Sequence, residues 1–444
     1  MTSTDIPRIC RRLPPLAGLL EDMLDEAMRA RRRRVMAADN PALNLNALRV
    51  ADNTLDRLVQ AAGMYGNDAA AELDARIGRL AGGAREAAVF LRIGLAVHTR
   101  DAALEELVAR HLEAFPRAVR DACWFYPVPN GPLSDNAGYL VGLFDAGSEQ
   151  VTLRHLAIEL AGLRGETRLR GQLQALLDDP ECAAPAHVAL ARMGQATTAT
   201  RHYAAQCMTT GKPGPIGVAM ELMACDPRIA DEDLLRQALG VDPDSADAAW
   251  AIAASRDARK VFDHAATRGD LPAGLHMRIA ALAGHPAGII GACAAMAAAD
   301  GPVTSAQADL LELALGAVPA EARCEPNDKA DKSRALRALV LHAFRHAHVS
   351  VCNDADIGPW EPGAILADPA QAASVRLRDG MALPAGVPPL GRALPEVSHA
   401  LRRWLYIERA SLAGHAFALS PLDIARRQDA ALMTADFVDA MRTT

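Results

Sequence analysis

Aromatic side chains are scarce in this chain, 4% of 444 residues, although half of all residues are hydrophobic. Ala and Leu therefore carry the apolar content. Ala has the highest helix propensity and a side chain small enough for close helix approach, so the composition predicts an all-α protein. Lysine is rarer still: only Lys212, Lys260, Lys329 and Lys332 occur, and the excess of Arg and Ala reads as a genomic codon bias. There is no surplus of positive charge. A net charge of −7 and a pI near 6.0 make nucleic acid an unlikely partner, since such binders show a basic domain or stripe. Paired cysteine motifs are missing too. The eight cysteines stand singly, with no CxxC, as expected of buried thiols in a reducing compartment. The longest uncharged, mostly apolar run, Ala287–Ala299, is too short and too rich in Ala and Gly to span a bilayer. The first residues hold no apolar core of signal-peptide length ahead of their arginines. A cytoplasmic protein without a membrane partner is expected. Nor is there a GxSxG, P-loop or GxGxxG motif, so no catalytic residue, no cofactor and no enzyme activity are expected.

What the sequence does hold is a repeat. Between Val151 and Gly316 an apolar helix ends in a small residue, breaks, and gives way to a second apolar helix. The endings are Glu159-Leu-Ala-Gly162, Ala191-Arg-Met-Gly194, Leu222-Met-Ala-Cys225, Ile252-Ala-Ala-Ser255, Ala281-Leu-Ala-Gly284 and Leu313-Ala-Leu-Gly316. A period of about 30 residues with two helices per period is the mark of an α-solenoid, because one hairpin cannot bury its apolar face alone. Hairpins follow at Thr152–Leu163 with Thr167–Leu177, Cys182–Met208, Ile216–Ala224 with Asp231–Leu239, Ala246–His264, Gly274–Ala298 and Ser305–Ala317. Asp231 stands where an N-cap is needed.

Before the repeats, helices are expected at Pro15–Ala38, Asn46–Gly63, Asp68–Leu80, Ala84–Val97 and Asp101–Phe115. The run Arg29-Ala-Arg-Arg-Arg-Arg34 in the first of them is read as a solvated helix C-terminal end, where the dipole favours positive charge. After Gly316 the period fails. A polar linker over Val318–Lys332 leads to a helix from Ser333 to Val349. Two Pro/Gly-rich stretches, Asp356–Gly363 and Met381–Pro395, flank a short helix near Pro369–Leu377, and helices at Glu396–Ala413 and Asp429–Arg442 close the chain. Three regions result: an N-terminal helical module over 1–125, solenoid repeats over 126–317, and an irregular C-terminal helical region over 318–444.

Leu45, Leu48, Asp52, Leu55, Leu58, Gly63 and Gly66 form a Leu-rich helix with one Asp, followed by a Gly pair. With Ala87-Ala-Val-Phe-Leu91, Trp124 after the Phe115-Pro116 break, and Ser411-Leu-Ala-Gly-His-Ala-Phe417, this pattern resembles an uncharacterised bacterial family of HEAT-repeat proteins associated with type VI secretion gene clusters. His415 replaces the Glu usual in that family, and the expected acidic tail is not evident. The resemblance implies HEAT-like hairpins and an accessory secretion role without a known activity.

Cys123-Trp-Phe-Tyr126 concentrates three aromatics. Trp124 and Tyr126 are candidates to anchor a partner, because such side chains dominate interface hot spots; packing at the joint before the first repeat is the competing and favoured reading. Arg170, Gln174, Arg201, Arg236 and Arg259 are outward-pointing candidates on second helices, weighed against ordinary solvated side chains. His342 and His346 share a helix face at a spacing that can chelate zinc, with Cys352 nearby. The Glu of a metalloprotease motif is missing and His348 points elsewhere, so no metal is expected. The favoured reading is a protein-binding scaffold or adaptor whose partner is a secretion-system component or effector. The alternatives are an immunity-type toxin inhibitor and a HEAT-like DNA glycosylase; the latter would need a basic groove.

Overall fold

The computed structural model describes residues 17–40, 43–126, 139–146, 150–242, 245–316, 329–356, 358–384, 397–414, 416 and 420–433. They are mostly helical, as the composition predicts. Contacts divide the chain into two compact units, unit 1 comprising residues 1–189 with 422–431, and unit 2 comprising 190–421 with 432–444. The division falls at neither 125/126 nor 317/318, the boundaries that periodicity suggests.

Unit 1 begins with α1 (Ala17–Asp39), α2 (Leu45–Tyr65), α3 (Asn67–Arg79) and α4 (Gly82–Thr99), followed by α5 (Leu104–Leu112), α6 (Pro116–Phe125) and α7 (Tyr139–Ala146). Next come α8 (Val151–Arg164), α9 (Arg170–Ala175) and the start of α10 (Ala183–Arg192), which the division crosses. Asn44 caps α2 by accepting from the Ala47 amide at 3.3 Å, and Pro116 opens α6, where a missing N–H costs nothing. Helix α4 is buried without interruption from Ala87 to Val97. It packs against α1, α2, α3, α5 and α6, so an all-round apolar surface is what its central place requires. Gly162 in α8 faces the backbone of α10: a Cβ there would lie 2.7 Å from the Ala189 Cα. The helix runs on to Arg164 and is capped by Gly165, so Gly162 is small because its neighbour's backbone occupies the space and not because the helix ends there.

Unit 2 continues with α11 (Thr198–Thr209), α12 (Pro213–Cys225), α13 (Glu232–Leu239), α14 (Asp247–Arg256), α15 (Ala258–Thr267), α16 (Ala273–Ala283), α17 (Pro286–Ala298) and α18 (Ser305–Leu315). Consecutive helices pack pairwise, α11 on α12, α13 on α14 and α15 on α16, while α12, α14, α16 and α18 also pack in succession as one row. Cys225, Ser255, Gly284 and Gly316 lie at the C-terminal ends of these four helices. Four of the six small-residue endings, those from Cys225 to Gly316, thus mark one row, and the alternate helices lie beside it. Asp231 caps α13 through the Leu234 amide at 2.9 Å.

Neighbouring hairpins are tied by basic side chains that reach carbonyls 26 to 34 residues earlier. Arg228 donates to Gly194 O at 3.2 Å. Arg256 donates to Ala230 O at 2.7 Å and Pro227 O at 3.0 Å. Arg268 donates to Leu239 O at 2.6 Å, and Lys332 to Gly301 O at 2.9 Å. The last carbonyls of a helix lack an internal partner and carry the negative end of its dipole, so a cation from the next hairpin suits them.

The C-terminal part of unit 2 holds α19 (Lys329–His346), the short α20 (Pro362–Ile365) and α21 (Pro369–Ala373), a hairpin of β1 (Val375–Arg378) and β2 (Met381–Pro384), and α22 (His399–Ala413). The helix expected from Ser333 already includes Lys329 and Lys332 of the expected linker; Lys329 binds Ala298 O at the end of α17 and Lys332 binds Gly301 O beyond it. The helix expected to run to Leu377 stops at Ala373. Asp379 and Gly380, with φ of 50° and 69°, form a two-residue turn between antiparallel strands, and backbone positive at both central positions matches the twist of a hairpin. Helix α22 packs against α14 and the turn Pro227–Ile229, and Ser411 Oγ receives the Ser255 hydroxyl at 2.7 Å. One face of the row at α14 is therefore covered by the chain's own helix. Of the expected helix Asp429–Arg442, residues 434–442 lie outside the described residues.

Candidate functional site

Among the described residues, two clusters place buried arginines against carboxylates in the interior. In unit 1 the apolar stripe of α1 runs Leu24, Ala27, Met28 and then continues through Arg31 and Arg34 to Ala38, all buried. The helix extends to Asp39, so the arginine run lies inside it and not at its end. Arg29, Arg32 and Arg33 are exposed, but Arg31 and Arg34 are each only 2% exposed. The solvated reading of the run fails for these two, because the helical period turns them inward.

Each buried guanidinium finds a carboxylate and an aromatic face. Arg31 donates to Asp121 at 2.7 Å and lies 4.2 Å from the centroid of the Phe90 ring. Arg34 donates to Asp52 at 2.6 Å and lies 4.1 Å from that of Phe125. A ring face and a carboxylate together replace the water that a buried cation loses. Burial pushes the Asp121 carboxyl up, but the charges of Arg31, Arg120 and Arg34 outweigh it and hold the group below its ordinary value. Phe90, Phe125, Tyr126 and Trp124 form a contiguous aromatic group, with centroids 5.3 to 6.2 Å apart. Arg164 donates to Trp124 O at 2.6 Å and Tyr126 O at 3.0 Å, closing the end of α6.

Unit 2 buries its charge differently. Arg376 and Arg378 of β1 both donate to Glu408 of α22, at 2.6 and 2.9 Å, and all three are under 5% exposed. Burial lowers the Arg376 pKa against the pull of Glu408. Arg378 also reaches Leu282 O near the end of α16. Around it the hairpin backbone caps two helices of the row: Leu377 N donates to Gly284 O at 2.9 Å, Asp379 N to Leu313 O at 2.8 Å and Gly380 N to Ala314 O at 3.2 Å. Gly284 is required here. Its φ is +69°, and an added Cβ would lie 2.7 Å from Leu377 O.

The residues singled out in the sequence are not brought together. Trp124 and Tyr126 are each 3% exposed, so neither presents a face to a partner. This corrects the exposed-anchor reading: the pair packs the core of unit 1, and burial raises the Tyr126 phenol pKa. Arg170 is exposed and Gln174 half-buried on α9. Arg201, Arg236 and Arg259 are exposed on α11, α13 and α15. Arg236 pairs with Asp233 at 2.9 Å, and Arg259 lies 3.8 Å from Asp263. Among the described residues no three His, Cys, Asp or Glu side chains gather as metal ligands. His342 is exposed, His346 Nδ1 sits 3.3 Å from Gly380 O, and His348, at φ 57°, lies just past the end of α19. Burial pushes the Cys123, Cys225 and Cys293 thiols up to about 12, far from a reactive thiolate. No helix among the described residues is long and apolar enough to cross a membrane.

Both clusters use residues that the sequence reading passed over. Arg31 and Arg34 were signalled by continuing the i, i+3, i+4 stripe of α1. Arg376, Arg378 and Glu408 carry no such local signal. No family model, curated protein or solved structure matches the chain.

Proposed function

We propose that the chain is a HEAT-like α-solenoid that acts as a protein-binding scaffold or adaptor, an accessory factor of a type VI secretion system. The observation that carries the reading is the row α12–α14–α16–α18, whose endings recur about every 30 residues and whose hairpins are cross-linked by Arg228, Arg256 and Arg268. Such stacks present extended surfaces to other proteins. Because α22 covers the row at α14, the surface left for a partner is the outer layer of α11, α13 and α15, which bears Arg201, Arg236 and Arg259. Capture is by shape and charge, with no bond made or broken. The glycosylase alternative is disfavoured: Arg236, Arg259 and Lys260 all lie beside carboxylates of Glu232, Asp233 and Asp263, which offsets much of the positive charge in that layer.

The test is purification of the tagged chain from its host, wild type against R201E/R236E/R259E, with partners quantified by mass spectrometry. The reading expects a stoichiometric secretion-system or effector protein that the triple variant loses. A chain that retains duplex DNA at moderate salt and no protein contradicts it.

A further inference from the structure

In sequence, residues 422–431 are separated from the rest of unit 1 by residues 190–421, yet they pack within unit 1. Residues 425–431 are helical, and main-chain groups at the start of that helix are held by side chains of α1 and α2. Arg34 Nη2 donates to Leu422 O at 2.7 Å and Asp423 O at 3.3 Å, while Asp52 Oδ2 accepts from the Ala425 amide at 2.8 Å. The Arg34–Asp52 pair of α1 and α2 thus reads the main chain of the segment on both its donor and its acceptor side. Arg49 grips Asp429 with both arms, at 2.8 and 3.1 Å, and Arg427 donates to Trp124 O at 3.2 Å. The segment organises itself as well: Asp423 accepts from the Ile424 amide and from Arg427, and Gln428 donates to Asp423 O at 2.7 Å.

The apolar share of this contact is small. Ile424 and Ala425 are buried, and Ala425 joins Ala37, Ala38, Leu45 and Leu48 in a small cluster. Fixed side chains read the backbone, one bidentate Arg reads an acid, and Leu422, Ile424 and Ala425 fill the remainder. That division of labour characterises peptide recognition more than a domain core. A small cleft of about 20 Å³ beside the segment is lined by Asp56, Tyr126, Ile424 and Arg426 among others.

We propose that the α1–α2 face of unit 1 is a peptide-binding site, occupied in cis by Leu422–Ala431. Its ligand is a peptide of that chemistry: Asp, Ile and Ala, then Gln and Asp a helical turn further on. Chain connectivity supplies the cis copy at a high effective concentration, so an added peptide competes only when the cis contact is weakened. The inference stands on unit 1 alone and does not depend on the stacked-repeat reading of unit 2.

The test uses the full chain and a dye-labelled Leu422–Ala431 peptide, followed by fluorescence anisotropy. Asp429→Ala loosens the cis copy at a partly exposed position. The variant is expected to bind the labelled peptide at least fivefold more tightly than the wild type, and adding Arg49→Ala is expected to abolish the gain. A D429A chain that binds no better, or an R49A/D429A chain that binds as well as D429A, overturns the proposal. Hydrogen exchange on the wild-type chain gives an independent check. Amides of 425–431 should exchange at least tenfold faster than those of α4, because a bound segment opens without the core; equal protection would make the segment part of the core and overturn the proposal.

Discussion

Unit 1 and unit 2 both bury arginine, but they satisfy it in opposite ways. In unit 1 the two buried guanidinia use different carboxylates and different rings: Arg31 uses Phe90 and Asp121, which also accepts from the partly exposed Arg120, and Arg34 uses Asp52 and Phe125. In unit 2 Arg376 and Arg378 share the one carboxylate of Glu408. The first arrangement divides the electrostatic compensation among several groups. The second has two buried guanidinia share one carboxylate, so a single substitution there removes an anion from both.

The largest effect should therefore come from Glu408→Ala. Breaking a buried ion pair costs about 3–5 kcal/mol, and here both guanidinia lose their anion. Chemical denaturation should show a loss at or above the top of that range, or no folded protein. Asp121→Asn keeps an acceptor for Arg31 and leaves Phe90 in place. It should cost less, about 1.5–3 kcal/mol, the worth of a hydrogen bond to a charged group. A D121N loss equal to that of E408A would break the comparison.

Acid should act next. Burial, with Arg402 and Arg403 adding to it, depresses the His399 pKa from 6.5 to about 4. Between those values the unfolded chain binds more protons than the folded one, so stability is full above pH 6.5 and falls as the pH drops towards 4. Allowing for partial exposure, the contribution is roughly 2 kcal/mol. Denaturation midpoints over that window should flatten in His399→Gln. An unchanged slope would mean that the ring is solvated in the native state. The smallest effect is expected at Arg236→Ala. Its partners Glu232 and Asp233 are as exposed as it is, and such surface pairs contribute about 0–1 kcal/mol, so thermal unfolding should scarcely move.

The same contrast explains what the sequence made legible. Helix type and the 30-residue period were open to reading because they depend on neighbours in the chain. The endings at Cys225, Ser255, Gly284 and Gly316 do fall on one row of helices. The inward turn of Arg31 and Arg34 was equally local, but the arginine run was read as a block of charge and its helical phase was passed over. The Asp379-Gly380 turn is a standard hairpin signal between the alternating Val375-Arg-Leu-Arg378 and the apolar Met381-Ala-Leu383, masked by the prolines that follow, which suggest a loop. Glu408 is another matter. Its partners lie 30 or more residues away, and nothing near Glu408 in sequence announces that a strand will deliver two arginines to it. The use of residues 422–431 in unit 1 was hidden for the same reason, with Asp52 and Asp429 nearly the whole chain apart.

Stacked hairpins couple chiefly to their neighbours, whereas a globular unit unfolds as a whole, and this difference is open to one experiment. Arg256→Ala removes the bonds to Pro227 and Ala230 that join the α13–α14 hairpin to the turn before it. Hydrogen exchange resolved by helix should then show protection falling most in α12, α13 and α14 and progressively less towards α18. A uniform loss across all of unit 2, or no loss in α12 and α13, would contradict the stacked-repeat account.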